Sequence, residues 1–205
     1  MSDSILAAIK ERRTVTHFRS DHEMSDGDIR ELVELATRAP SSFNLQNWRF
    51  IAVRSPEAKA RLRPIAWDQE KITAAAVTFI VVGVLADHET MPARLTPAVQ
   101  YGIMSAQIAE GWQGAAKRLY FEQQWRARDE AVRSATFAAG FLILAAHAKG
   151  LGAGPMIGFD DEPVSREFGL AVNEIPVLLL SVGLPADGNW PQKPRRPVAE
   201  ITELV

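Results

Sequence analysis

Residues 39–54 read APSSFNLQNWRFIAVR, and within this stretch a helix ends, a polar loop follows and a strand begins. Pro40 predicts the helix end, because proline lacks the N–H that a helix interior requires. Residues 48–54 (WRFIAVR) are rich in aromatic and β-branched side chains, which favour a strand. The loop carries two hydroxyls and three amides in residues 41–47. These are ordinary turn residues, but so many donors and acceptors also suit the edge of a planar, amide-rich heterocycle.

The hydrophobic pattern on both sides of this loop alternates between helical and strand periodicity. Ser25, with Asp28 three residues later, predicts a capped helix start. Gly150 predicts the glycine that follows the end of a long, alanine-rich helix. Helices are expected over 4–13, 25–39 and 131–149, from Pro56 and from Asp161, and strands over 48–54, 77–85, 152–156 and 176–183.

The middle of the chain gives a weaker signal. Pro92 and Pro97 indicate a loop, and residues 99–128 are mostly compatible with helix. One flank of the helix over 131–149 is nearly all alanine and glycine, which would let another helix approach closely and predicts a central helix with close neighbours, one of them possible across a dimer axis. Helices outnumber strands and no linker separates two cores, so residues 1–205 are expected to form one α+β domain.

The composition excludes several classes of function. The chain has 205 residues, no cysteine, four histidines and a formal net charge of −2. The lack of cysteine excludes disulfide frameworks, thiol nucleophiles and cysteine-ligated metal sites, and the histidines have no spacing that predicts a metal site. Near-neutral charge argues against nucleic-acid binding, which needs a basic surface.

Familiar motifs do not supply a function either. Residues 150–154 (GLGAG) follow a helix and enter a strand, whereas the dinucleotide-binding fingerprint follows a strand and opens a helix. The sequence has no P-loop and no G-x-S-x-G serine elbow. The longest near-apolar run, 74–86, is shorter than the ~20 residues that span a bilayer, and the N-terminus has no secretory pattern. We therefore expect a cytoplasmic protein with no membrane segment.

Five motifs, in order along nearly the whole chain, resemble the FMN-dependent nitroreductase family. That family carries R-R-S after its first helix and P-S-S-x-N-x-Q-P-W before its first strand. The counterparts here are 12–14 (RRT), 40–48 (PSSFNLQNW), 69–71 (QEK), 150–152 (GLG) running into 155–160 (PMIGFD), and 193–197 (KPRRP). The resemblance implies a mainly antiparallel central sheet flanked by helices, in an intertwined homodimer.

The resemblance also implies which residues hold the cofactor phosphate. Arg12, Lys193 and Arg195 would bind this dianion, which guanidinium and ammonium groups suit. Arg13 and Thr14 would contact the ribityl chain or the flavin edge. Taken alone, two arginines at a helix C-terminus could simply offset the helix dipole.

The flavin ring would lie against three further segments. Lys71 would face flavin N1 and the C2 carbonyl, where a cation favours the reduced cofactor. Backbone groups of Met156, Ile157 and Gly158 would lie near flavin N5. The partner subunit would close the site with its own copy of the polar loop, through Pro40, Ser41, Ser42, Asn44 and, with weaker support, Gln46.

Some positions depart from the family pattern. Asp68 stands where asparagine is common, which brings a carboxylate near the flavin. Asn47 stands where proline is common, and Thr14 replaces a serine but keeps the hydroxyl. Ile157 stands where the best-studied enteric members have glutamate, so the nicotinamide side of the site is expected to differ. Aromatic residues of the middle region are candidates for the substrate wall or for plain helix packing: Trp112, Tyr120, Phe121 and Trp125.

The resemblance implies a ping-pong oxidoreductase that passes electrons from NAD(P)H through FMN to a nitroaromatic or quinone-type acceptor. The flavin would do the chemistry, so no side-chain nucleophile and no metal is expected. Two alternatives stay open. One is a different flavin reaction on the same fold, such as dehalogenation, flavin destruction or dehydrogenation. The other is an FMN-binding module without turnover.

Overall fold

The computed structural model describes residues 2–205, with side-chain surroundings from residue 5 onward. The helices are α1 (Ser2–Glu11), α2 (Asp26–Ala36), α3 (Pro56–Ile65), α4 (Lys71–Ala74), α5 (Met91–Gln100), α6 (Ala106–Tyr120), α7 (Gln124–Ala148) and α8 (Asp161–Glu167). The strands are β1 (Trp48–Val53), β2 (Val77–Val84), β3 (Gly152–Met156) and β4 (Glu174–Gly183). Short 3-10 turns lie at Ser42–Asn44 and Val198–Glu200.

The four strands form one antiparallel sheet in the order β1-β2-β4-β3. In the middle of the register, Ile80 of β2 lies between Ile51 of β1 and Leu179 of β4. The expected α+β class with an antiparallel sheet is therefore confirmed. The strand order places β1 and β3 at opposite edges, three strand spacings or about 14 Å apart.

Both faces of the sheet are covered, which explains why β2 is apolar at nearly every position, apart from Thr78, instead of alternating between apolar and polar residues. On one face, Phe79 and Val81 pack with α2 and α7. On the other face, Ile80 and Val82 pack with α3, α4 and α8. All four side chains are fully buried. This two-sided core fixes the register on which the ends of the strands, and so the site, depend.

Helix α7 lies across the sheet through its alanine-rich flank. A Cβ added to Gly83 of β2 would stand 2.6 Å from the carbonyl oxygen of Ala131, so helix and strand are nearly in backbone contact. The close neighbour predicted for this flank is thus the sheet of the same chain. By length and composition α7 would suffice to cross a membrane, but its buried alanines belong to the protein core.

Most predicted element ends are accurate to within two residues; an exception is the end of α2, at Ala36 instead of residue 39. Helix α1 ends at Glu11, two residues before the predicted end, because the chain from Thr14 pairs with β3. Ser25 and Asp28 form the predicted capping box, with Ser25 Oγ accepting from the Asp28 N–H at 3.1 Å. Gly150 has the predicted positive φ, +75°.

The prediction of a loop at Pro92 and Pro97 is wrong. Both prolines lie in α5, and α7 begins at Gln124, seven residues before the predicted start. Pro92 is in the first turn, where its missing N–H has no helical partner in any case. Pro97 lies inside the helix, where the Thr96 hydroxyl donates to the Pro92 carbonyl at 2.6 Å. Buried Met91 and Leu95 hold this helix to the core, so packing overrides the proline signal.

Candidate functional site

The segment after α1 runs alongside β3 at the edge of the sheet. The Val15 N–H donates to the Ala153 carbonyl at 3.0 Å, and Thr14 forms an isolated parallel bridge with Ala153. Gly154 is required here, because a Cβ would collide with the Val15 carbonyl oxygen. The arrangement fixes the backbone at Thr14, next to the two arginines, against a buried strand.

The C-terminal tail returns to the same place. Asn189 Oδ1 accepts from the backbone N–H groups of Thr16 and His17, at 2.8 and 3.1 Å. Further along, Gln192 Nε2 donates to the carbonyl of Arg12 at 3.1 Å, and Arg195 Nη2 donates to Gln192 Oε1 at 3.2 Å. Residues 172 to 180 positions apart in sequence are thus joined by direct hydrogen bonds.

These contacts create a cleft of about 290 Å³ whose walls include Thr14, Lys193 and Arg195. Arg12 and Arg13 line a neighbouring cleft of about 330 Å³. Of the three residues that the resemblance assigned to a phosphate, the structure thus places Lys193 and Arg195 on one cleft and Arg12 on the other. Among the side chains of residues 5–205, none of the four cations forms an ion pair with a carboxylate. An anionic group would supply the missing counter-charge.

A second cluster forms where the turn before α4 packs on the segment after β3. Gln69 Nε2 donates to the Gly158 carbonyl at 2.7 Å, and Trp67 Nε1 donates to Asp160 Oδ1 at 3.0 Å. Ile157, which directly precedes Gly158, is 81% exposed. The turn is strained, since Trp67 and Asp68 both have positive φ, +52° and +54°.

Lys71 begins α4 beside this turn and is half-buried. Burial lowers the pKa of its ammonium, because desolvation penalises the charged form. No carboxylate in the described chain lies within ion-pair distance of it. Asp68, the departure from the family pattern, instead accepts from Arg63 Nε at 2.6 Å. The charge of Asp68 is therefore compensated by Arg63, and Lys71 stays available to a ligand.

The polar loop before β1 is held in an unusual conformation. Phe43, Asn44 and Gln46 all have positive φ, between +48° and +54°. Ser41 Oγ accepts from the Gln46 N–H at 2.9 Å, and Gln46 Nε2 donates to Asn44 Oδ1 at 3.3 Å. Pro40 and Asn44 are exposed. The loop leads into β1, so it lies at the sheet edge opposite β3 and the two clusters above.

The four aromatic candidates for a substrate wall separate into two groups. Trp112 and Tyr120 pack edge-on against Phe43 of the loop, with ring centroids 6.1 and 6.4 Å away. Phe121 packs on His88, and Trp125 lies beneath the Arg126 guanidinium. Tyr120 is buried, so within this chain it supports the loop from below and presents no open ring face. Trp112, Phe121 and Trp125 are exposed.

Sequence reasoning missed Trp67 and Trp190. Trp67 is two-thirds exposed and packs on Gly158, and Trp190 lies beneath the Lys193 ammonium at 4.9 Å from the ring centre. Trp67 directly precedes Asp68, but no periodicity marks it as part of a site. Its role depends on positive φ and on Gly158, and both are visible only in three dimensions.

Comparisons with known proteins show what the whole chain is similar to. A family model described as "Nitroreductase family" matches residues 9–184. The chain is 32% identical to YodC of Bacillus subtilis, a protein named as a candidate NAD(P)H nitroreductase, over 87% of this chain and 88% of that one. It is 34% identical to a protein of Thermus thermophilus named NADH dehydrogenase, over 92% and 90% of the two chains.

Solved structures show the same likeness. The candidate nitroreductase YdfN of Bacillus subtilis superposes with a TM-score of 0.93, at 28% identity and over the whole of both chains. A candidate nitroreductase of Exiguobacterium sibiricum, solved in complex with FMN, gives a TM-score of 0.89 at 26% identity, over 98% of this chain and 97% of that one. The cofactor in that structure is the one that the sequence motifs predict.

Proposed function

Because this chain belongs to the nitroreductase family, whose enzymes are oxidoreductases, we propose that it binds FMN and passes electrons from NAD(P)H to planar nitroaromatic or quinone-type acceptors by a ping-pong mechanism. One observation carries the proposal. Apart from the polar loop, the residues that the family motifs place around FMN form two clusters near β3, and their cations lack carboxylate partners among the residues described.

The spacing of the two clusters suits a ligand with an anionic tail and a flat ring. Strand β3 links them, from Ala153 beside Thr14 to Ile157 beyond its end. A strand rises about 3.3 Å per residue, so these positions are about 13 Å apart. Arg12, Lys193 and Arg195 would hold the phosphate, with Arg13 and Thr14 next along the ligand.

At the ring end, FMN would supply the hydride and electron-transfer chemistry, and the protein's part is binding, orientation and charge. Lys71 would place its ammonium against the ring edge on which negative charge develops. Its partial burial strengthens that interaction, because fewer waters screen the charge. Backbone groups of Met156, Ile157 and Gly158 would hold the opposite edge of the flavin ring. Asp68 would contribute to the site indirectly, by orienting the Arg63 guanidinium.

The position of the polar loop supports a homodimer with its FMN sites at the subunit interface. Pro40, Ser41, Ser42, Asn44 and Gln46 are separated from the clusters of their own chain by the width of the sheet. A second copy would bring its loop to the open side of the site. Exposed apolar side chains of α1 and α7, such as Ile5, Ile9, Phe137 and Phe141, offer the surface that such a dimer would bury.

The acceptor side of the site would combine residues of both subunits. Ile157 and Trp67 are exposed beside Lys71, and together they make an apolar surface for a flat acceptor or for nicotinamide. Trp112, Phe121 and Trp125 stay candidates for the wall that the partner contributes. We further propose that residues 1–205 are one FMN-binding domain acting in the cytoplasm, where NAD(P)H is available.

The test is an anaerobic titration of the purified, FMN-loaded protein. NADH or NADPH should bleach the flavin absorbance, and a quinone or nitroaromatic should restore it. In separate steady-state assays, double-reciprocal plots of initial rate against one substrate, at several fixed concentrations of the other, should be parallel. Bleaching without reoxidation by any such acceptor would contradict the reductase proposal and favour another flavin reaction. If neither nucleotide bleached the flavin, the result would favour an FMN-binding module without turnover.

A further inference from the structure

The polar loop is anchored from below by Tyr120, the last residue of α6. The Tyr120 hydroxyl lies 2.9 Å from Ser42 Oγ, and the ring packs edge-on against Phe43. Tyr120 is 8% exposed, whereas Tyr101, the other tyrosine of the chain, is 82% exposed. The contact joins the loop to the helical layer and not to the sheet that it precedes.

Tyr120 is connected in turn to a buried acid on α7. Glu130 is 5% exposed, and its carboxylate accepts from Arg133 Nη1 at 2.5 Å, from Ser134 Oγ at 2.9 Å and from the Tyr120 hydroxyl at 3.4 Å. The side chains Ser42, Tyr120 and Glu130 thus form one continuous chain of hydrogen bonds from the loop into the core.

This chain of bonds has a direction. A carboxylate paired with arginine accepts hydrogen bonds and donates none. The Tyr120 hydroxyl therefore gives its proton to Glu130, and its oxygen accepts the proton of Ser42. The Ser42 hydroxyl is left with its proton pointing inward, and the lone pairs of its oxygen stay available to accept a hydrogen bond. Burial also raises the pKa of Tyr120, which keeps the phenol protonated and able to donate.

The anchor acts on a strained segment. Phe43, Asn44 and Gln46 occupy the left-handed region that residues other than glycine avoid. Such conformations persist only where the surroundings hold them. Two hydrogen bonds to side chains hold this segment at its two ends. One joins Ser42 to the Tyr120 hydroxyl, and the other runs from the Gln46 N–H to Ser41 Oγ.

We propose that Tyr120 and Glu130 are positioning residues that fix Ser42 as a hydrogen-bond acceptor, so that the loop receives an N–H or O–H donor of the cofactor. The proposal rests on the proposed function, in which this loop closes the FMN site of the partner subunit. FMN carries donors of both kinds, in its ring imide and its ribityl hydroxyls. Neither positioning residue touches the cofactor.

The test measures the FMN dissociation constant of the full-length protein for Tyr120→Phe, Ser42→Ala and the double variant. A lost hydrogen bond predicts about tenfold weaker binding in each single variant. The double variant should bind FMN no more weakly than Ser42→Ala alone, because Tyr120 acts only through Ser42. Tyr101→Phe is the matched control and should bind FMN as the unmodified protein does.

A second variant keeps the proposal testable if Tyr120→Phe folds poorly. In Glu130→Gln the carboxamide can donate to Tyr120, whose proton then turns toward Ser42. FMN binding should weaken, again only when Ser42 is present. If the increases in the FMN dissociation constant multiplied in the double variants, the role would be purely structural and the proposal overturned. Unchanged FMN binding in both single variants would overturn it as well. Failure of the unmodified protein to bind FMN would instead refute the proposed function.

Discussion

The indole of Trp67 occupies the space that a side chain on Gly158 would need. A Cβ built on Gly158 would stand 2.8 Å from Cε3 of the ring, which is itself held by the hydrogen bond from Trp67 to Asp160. Gly158 therefore allows the turn before Lys71 to pack closely on the segment that follows β3. The placement of Lys71 at the site depends on this contact.

Gly158→Ala should displace the indole and loosen the turn. We expect a loss of about 1–3 kcal/mol in the free energy of unfolding, as for other overpacked positions, together with weaker FMN binding. Urea unfolding and FMN titration measure the two effects. Gly111→Ala, in α6 with nothing within 4 Å of its added Cβ, is the control and should gain about 0.5–1 kcal/mol. Equal stability of the two variants would contradict the contact.

Arg195→Ala should weaken FMN retention while leaving the fold intact. Charge-assisted hydrogen bonds contribute about 1.5–3 kcal/mol, so the dissociation constant should rise roughly 10- to 150-fold. Arg196→Ala is the neighbouring control, because Arg196 is already paired with Glu200 at 3.2 Å. Fluorescence titration with FMN checks both. An equal effect of the two variants would show that the phosphate does not lie at Arg195.

Lys71→Met should make the bound FMN harder to reduce. Loss of about 1.4 kcal/mol of stabilisation corresponds to a shift of roughly 30 mV for a two-electron couple, toward more negative potential. Because burial lowers the pKa of Lys71, its charge is present below that pKa and is lost as the pH rises through it. The potential of the unmodified protein should therefore fall more steeply in alkaline solution than that of Lys71→Met. Spectroelectrochemical titration across pH measures this, and identical curves would place Lys71 away from the flavin.

Ser25→Ala should destabilise α2, the helix that delivers the polar loop. Loss of an N-cap costs about 1 kcal/mol. Ser25 also lowers the pKa of Asp28 by hydrogen bonding, so this interaction is complete above the ordinary carboxyl pKa near 4 and is lost as the pH falls through the lowered pKa. The stability difference between the two proteins should thus shrink in acid, as urea unfolding at several pH values can show. A constant difference would argue against the capping box.

Local signals were enough to predict much of this fold. The β-branched run of β2, the capping pair at Ser25 and Asp28, and Gly150 each have a meaning within a few residues of sequence. The family motifs likewise predicted that Thr14, Lys193 and Arg195 share a site, and these residues line one cleft in the structure.

The features that sequence did not predict depend on contacts between distant segments. Pro92 and Pro97 lie in a helix because Met91 and Leu95 are buried in the core. Trp67 belongs to the candidate site because a turn with positive φ places it on Gly158. The link from Ser42 through Tyr120 to Glu130 joins three elements that no local pattern relates.

The central claim is that each FMN site combines one edge of one chain with the polar loop of another. Lys71→Met/Arg195→Ala alters only the first part, and Ser42→Ala/Asn44→Ala only the second. Each variant alone should bind FMN poorly. Co-expressed with two different affinity tags, the mixed dimer would carry one site with all the substitutions and one with none.

The decisive measurement is the FMN content of that purified mixed dimer. We predict about one tightly bound FMN per dimer, half the content of the unmodified protein, with the dissociation constant of the unmodified protein. A mixed dimer that binds FMN no better than the two parent variants would contradict the shared site.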